Sequence, residues 1–458
     1  MKKLSVIPFI VLLFASCNPR LAAPQVSVPS RYHYGVPFRN DSIRIEEEWW
    51  RIFGDTTLNA LVEHAIAQNR SVAIALSRIE EARYNLSVAR SAYLPDIGVE
   101  VSANGVYGSA DDKIAQAYKI TPTISWEIPL FGSLHHTSRK AKANILYEEW
   151  LWRGTRLSLE AEVATTYFTL LQYRQDLNIA RRSSQLRREM VSLIDSMFHY
   201  GFATGANLEQ AKSLLYTAEV DIPRYEYAIA QTIISLSVLL DEEPSRLARL
   251  ADSDKLPQLQ DNQLYDIAIG VPSELILRRP DLMSAYYSLQ ATAADVGLAR
   301  VARLPSFSLT LFGGTSTDKV SQLFSGKSWV ANALLALTQP IYNFGGLRKR
   351  ELAAKEAYRQ SLLNYEQQFS KALAEVEDAL VNITSSREEL IRYGELVKSY
   401  RHIAITTNAL YISGLSNYLD VIDAERSLYA SQMEFENIVA QQYINYINLC
   451  KALGGGIQ

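Results

Sequence analysis

Two carboxylates three positions apart, Asp420 and Asp423, follow the turn Ile412 to Ser416 and lie in the first turn of the helical run after it. Acids placed there have an electrostatic use that needs no catalysis. They complement the positive end of a helix dipole, and Asn417 with Asp420 three residues on approximates a capping box. A second charged motif, Arg278-Arg279-Pro280-Asp281, holds the residues of an anion site and equally those of a helix junction. Pro280 would stop a short helix, Asp281 would cap the next, and the arginines would sit at the C-terminal end, where the dipole favours cations. The motif is read as the junction.

No other group of residues suggests chemistry on a substrate. His33, His64, His135, His136, His199 and His402 are scattered, with one adjacent pair and no metal spacing, and there are five methionines in all. Neither a zinc nor a copper relay is indicated, and no nucleophile elbow or phosphate loop occurs. A net charge of -3, with no basic cluster interleaved with aromatics, argues against nucleic acid as a partner.

The N-terminus carries a different chemistry. Lys2 and Lys3 precede an apolar stretch from Leu4 to Ala15, too short to span a bilayer, and then Ser16-Cys17. Small residues directly before the cysteine resemble a bacterial lipobox. Cleavage of residues 1–16 would leave Cys17 as the first residue, lipidated on its sulfur and tethered to a membrane. No other cofactor is expected. Cys450 is the only other cysteine and is expected as a small buried apolar residue.

The elements that must position these residues come twice. Leu94-Pro95 and Leu304-Pro305 stand 210 positions apart, each behind an Ala-Arg pair, and each is followed by alternating apolar and polar residues. The first copy, 56–240, reads as one helix from 56 to 92, a hairpin within 96–128, a proline-free run from Ser133 to about Phe198 that is one long helix or two stacked ones, and a helix to Leu240. The hairpin strands are expected to be about ten residues each, separated by a polar loop from Gly105 to Ala117. The second copy, 271–453, repeats the order, with its hairpin within 306–340, a loop from Gly313 to Ser328, and a run of helix from Leu347 to Leu410. An N-terminal segment 17–55, an insertion 241–270 and a tail 454–458 complete the division.

After the leader, no apolar run is long enough for a membrane helix, so any crossing must be made by strands. Ten residues suit a tilted membrane strand, although a half-buried hairpin on a soluble domain shows the same alternation. Four strands cannot close a barrel in lipid, where an open edge leaves backbone groups unpaired. Two, three or four chains would have to share one of eight, twelve or sixteen strands. Helices of about 100 Å, at 1.5 Å per residue, would then project into an aqueous compartment.

Particular residues resemble the TolC-like outer membrane efflux proteins, in the lipoprotein branch that serves tripartite RND pumps. They are Glu48-Trp49-Trp50-Arg51-Ile52-Phe53-Gly54-Asp55, the junction Gly270 to Leu282, Glu375-Val376-Glu377-Asp378-Ala379-Leu380, and the ending Lys451-Ala452-Leu453-Gly454-Gly455-Gly456. The resemblance runs from about residue 46 to 456. It implies a mainly helical, internally duplicated chain whose homotrimer forms a twelve-stranded β-barrel in outer membrane lipid on a long periplasmic α-helical barrel. It implies a passive exit duct, not an enzyme, that docks with a periplasmic membrane-fusion adaptor and an inner-membrane RND pump. A duct for type I protein secretion and a non-channel periplasmic coiled-coil lipoprotein are the alternatives.

The resemblance also gives Asp420 and Asp423 a second role. TolC-like proteins carry a tyrosine and two aspartates around the periplasmic aperture, matching Tyr411, Asp420 and Asp423, and three copies would place six carboxylates round one opening. Glu209 lies at the repeat offset of 211 from Asp420 and is a further candidate for that ring. Ser416 stands where TolC has an arginine, so the bonds that close the aperture are expected to differ.

Overall fold

The computed structural model describes residues 21, 23–24, 26–34, 46–108, 113–251 and 272–456. Cys17, the leader and most of the 241–270 insertion lie outside them. Thirteen labelled elements follow in chain order: α1 (Thr56–Gln68), α2 (Arg70–Ser91), β1 (Asp96–Gly108), β2 (Lys113–Ile128), α3 (Ser133–His199), α4 (Gly205–Leu240), α5 (Pro244–Ala251), α6 (Leu275–Arg278), α7 (Pro280–Val301), β3 (Ser306–Thr317), β4 (Trp329–Thr338), α8 (Gly346–Ile412) and α9 (Tyr418–Ala452). The duplicated order is present, and α3 is a single helix of 67 residues, as is α8.

The expected single helix over 56–92 is two. Asn69, with extended backbone (ψ 127°), closes α1, and its side-chain oxygen accepts from the amides of Ser71 and Val72 at the start of α2. Its side-chain amide donates to the Leu239 carbonyl at 2.9 Å. One residue thus ends one helix, starts the next and ties both to α4. The strands also run past the expected loops. β1 and β2 have 13 and 16 residues, with Asn104 opposite Ala117 and Gly105 opposite Gln116, and β3 continues to Thr317.

The chain forms two compact units, and each repeat contributes to both. The first comprises residues up to 26, 76–150 and 283–368. It holds the four-stranded antiparallel sheet, in order β1-β2-β3-β4. Successive residues of a strand face opposite sides, and the register aligns like with like: Ile97 pairs with Ile124, which pairs with Leu311, which pairs with Ala333. That face is apolar along every strand yet open, with Ile97, Val99 and Val101 all exposed. An exposed apolar sheet face of this extent is a membrane or partner surface. Beside the sheet, Leu289 and Val296 of α7 pack on Tyr358 of α8. Gly297 admits the His136 ring of α3 so closely that a Cβ would overlap it.

The second unit comprises residues 27–75, 151–282 and 369–458. Its core is aromatic: Trp49 and Trp50 are almost wholly buried, and Phe168 stacks on Tyr443 at 4.4 Å beside Phe53. The Trp49 indole N–H donates to the buried Glu160 carboxylate at 3.0 Å, which also receives Arg156 Nε at 2.8 Å. Burial, only partly offset by Arg156, pushes Glu160 up to about 7. Asp55 caps α1 by accepting from the amides of Thr57 and Leu58, and its other oxygen accepts from Tyr167 Oη at 2.6 Å. Cys450 is fully buried, and burial pushes its thiol up to about 12.

Candidate aperture at the helix turns

Two turns in the second unit carry the sequence-derived candidates. After α3, Gly201 takes a left-handed backbone (φ +81°), and the amides of Phe202 and Ala203 fold back onto the Met197 carbonyl. After α8, Gly414 does the same (φ +73°), with the Leu415 amide on the Leu410 carbonyl at 2.9 Å. Both are helix ends of the kind a glycine permits at low cost. Thr204 with Asn207 then caps α4, and Asn417 caps α9 by accepting from the Asp420 amide at 3.2 Å.

One apolar cluster holds the turns together. Ile194 of α3 and Leu208, Ala211 and Leu214 of α4 pack against Tyr418, Val421 and Ile422 of α9, with Tyr411 against the same cluster. The Tyr411 and Tyr418 rings lie 5.2 Å apart. Asp420 and Asp423 bracket the buried Val421 and Ile422, so burying that pair leaves both acids on the exposed side of the helix.

Asp420 accepts from Ser416 Oγ at 2.7 Å. This bond replaces the expected reciprocal half of a capping box, and it uses the serine that distinguishes this turn. Among the described residues neither Asp420 nor Asp423 forms an ion pair, whereas Glu209 is neutralised by Lys212 at 2.8 Å. Asp420 and Asp423 therefore have no cationic side chain paired with them among the described residues, whereas Glu209 has Lys212.

Sequence reasoning missed a second polar group in the same unit. Arg187 of α3 is buried, donates to the Leu214 carbonyl of α4 at 2.7 Å, and lies 4.7 Å from the ring centroid of Tyr429 on α9. Tyr429 Oη donates to Asp221 of α4 at 2.8 Å. Burial and then the Asp221 carboxylate raise the Tyr429 phenol above its usual range. Further along, Asp176 of α3 is 3% exposed and faces Glu436 and Asp221. Nothing local in the sequence marks these residues, since their partners come from three helices.

The Arg-Arg-Pro-Asp motif is a helix junction, as expected, but Asp281 lies within the first turn of α7 and is not its cap. Pro280 opens α7, while Arg279 is 6% exposed and donates to Asp281 Oδ2 at 2.7 Å, Glu375 Oε2 at 2.6 Å and the Ala452 carbonyl at 2.9 Å. Its guanidinium is occupied from within the chain. Gly454, at φ +95°, lies against the Arg278 carbonyl, which a Cβ would approach to 2.8 Å.

Among the described residues no cluster of side chains could hold a metal ion, and no helix is long and apolar enough to cross a membrane. The family model of the outer membrane efflux protein matches residues 61–241 and 271–455. The outer membrane protein OprJ of Pseudomonas aeruginosa is 30% identical over 98% of this chain and 94% of its own length. The probable outer membrane lipoprotein SilC of Salmonella typhimurium is 28% identical, with 98% and 97% covered. The outer membrane channel CmeC of Campylobacter jejuni, 24% identical, shares the fold at a TM-score of 0.89 over 97% of this chain and 95% of its own.

Proposed function

The chain belongs to the outer membrane efflux protein family, and we propose on that premise that it is the outer membrane channel of an RND-type tripartite pump. In this reading it is a passive exit duct for small toxic compounds and performs no chemistry on its cargo. The observation that carries the reading is the sheet: four antiparallel strands with one largely apolar face and, among the described residues, two unpaired outer edges, β1 and β4. Open edges in lipid leave backbone groups unsatisfied, and closed membrane barrels begin at eight strands. Three chains, the number the family resemblance implies, supply twelve.

Three copies also bring the helix turns round one axis. Asp420 and Asp423 then form a ring of six carboxylates at the aperture, with Tyr411 behind it and each Asp420 steadied by its own Ser416. The neighbouring side chains support docking of a periplasmic adaptor. Tyr200, Phe202, Ile412 and Leu415 are large apolar residues exposed at the two turns, where a lone soluble helix end would carry polar ones. A lipid on Cys17 would hold the N-terminus at the membrane.

The test is the full-length protein expressed in a Gram-negative host and purified from outer membranes. It is expected to sediment as a trimer and to give discrete conductance steps in planar bilayers. A monomer recovered from the soluble periplasm, with no conductance, would refute the proposal.

A further inference from the structure

The face of the sheet opposite the apolar one is hydrophilic over most of its extent, as a wall against water should be. Ser, Thr and Gly dominate it, together with Asp96 and Glu100 on β1 and Lys119 and Glu127 on β2. Three carboxylates against one ammonium leave this face negative among its described side chains.

It is interrupted in one place. Phe312 of β3 lies on this face opposite Asn332 of β4, while Leu334 is opposite Thr310 and Val330 opposite Gly314. Directly paired residues share a face, so Leu334 and Val330 flank Phe312 on either diagonal, a separation of about 7–8 Å that large side chains bridge. Leu334 is 57% and Val330 43% exposed. Gly314 adds no side chain between them.

β4 is thus apolar on both faces. Leu335 and Leu337 serve the lipid side, and that side offers no reason for Leu334 and Val330. A wall that passes only water and small ions would carry Ser or Thr at these positions, as β3 does at Ser306, Ser308 and Thr310.

We infer that Phe312, Leu334 and Val330 form a lumenal patch that transiently holds bulky hydrophobic cations, such as aromatic ammonium or phosphonium compounds. The aromatic ring and two aliphatic side chains supply apolar contact, and a ring face attracts a cation. The acidic remainder of the face selects that charge over its opposite. The inference rests on the reading that this face lines the lumen of the trimer.

The experiment uses the full-length trimer in planar bilayers with three probes. Tetraphenylphosphonium is bulky and positive, tetramethylammonium is positive but small, and tetraphenylborate has the bulk with the opposite charge. Tetraphenylphosphonium is expected to reduce the current in a saturable way at concentrations where the other two do little. In Phe312→Ser with Leu334→Ser, its half-blocking concentration should rise about tenfold, as expected from losing an aromatic and an aliphatic contact, with the open conductance retained. Equal block by tetramethylammonium, or unchanged block in the double variant, would overturn the patch and leave the channel standing. Absence of any conductance from the native trimer would overturn the channel and the patch together.

Discussion

Replacing Asp176 by Asn should stabilise the protein by an amount that grows as pH rises from about 4 to about 7 and is constant above. Asp176 is buried on α3, faces the carboxylates Glu436 and Asp221, and has one oxygen without a hydrogen-bond partner among the described residues. Burial first, and Glu436 next, push it from an ordinary value of 3.8 up to about 7, against a hydrogen bond from Gln172. The folded state thus keeps this proton to about pH 7, whereas the unfolded chain releases it near 3.8. Between those values the native state binds more protons than the unfolded one, so stability falls as pH rises through the window and is flat above it. A separation of about three units at 1.36 kcal/mol each sets a ceiling of about 4 kcal/mol per chain.

Asparagine fills a similar volume and cannot ionise, so it removes this penalty. Thermal melts of the detergent-purified protein, followed by circular dichroism from pH 5 to pH 9, supply the measurement. Other groups titrate in the same range, Glu160 among them, so the informative quantity is the variant's melting temperature minus that of the native chain. It should already be positive at pH 5, which lies inside the window, and grow by several degrees by pH 8. In domains of 150–250 residues 1 kcal/mol moves the midpoint by about 2–4 °C, and the shift is smaller in longer chains. A difference that stays constant with pH would refute the reasoning, because an uncharged packing effect carries no proton dependence.

Replacing Asp420 and Asp423 together by Ala should raise the trimer's single-channel conductance and lower its preference for cations; unchanged conductance would remove both acids from the aperture. Arg279→Met removes a buried donor from Asp281, Glu375 and the Ala452 carbonyl, and because both carboxylates keep contact with solvent it should cost about 1.5–3 kcal/mol, read as a lower urea midpoint, with Arg279→Lys recovering only part of it. Gly297→Ala places a methyl group in the His136 ring and should cost about 1–3 kcal/mol by overpacking; a second change, His136→Ala, should restore the melting temperature, and failure to do so would show that the contact is not tight.

Where the sequence was legible, a physical signal coincided with the element it marked; where it was not, the two came apart. Alternation of apolar and polar residues is a signal of one-sided burial, not of strand as such. β1 and β2 alternate from Ile97 to Val101 and from Tyr118 to Ile128, then lose the pattern while the ladder continues through Asn104–Ala117 and Gly105–Gln116. Reading the loss of alternation as the end of the strand therefore placed the loop too early. Asn69 escaped notice for a related reason: a single capping residue with neither Pro nor Gly beside it leaves the apolar spacing of 56–92 intact, and its decisive partner, the Leu239 carbonyl, is 170 positions away. The motifs that carried the family resemblance were legible as separate stretches, yet they meet within the second unit. Arg279 from the junction motif joins Glu375 from the third and Ala452 from the ending, while Gly456 closes on the carbonyl of Glu46, two residues before the first. Trp49 from that first motif meets Glu160, a residue outside all four. The motifs that carried the resemblance thus meet largely in one packed junction of this chain, and such a junction is silent about cargo. The residues proposed to bear on cargo and gating, Phe312 with Leu334 and Asp420 with Asp423, lie outside those motifs, so kinship alone does not fix what this duct passes.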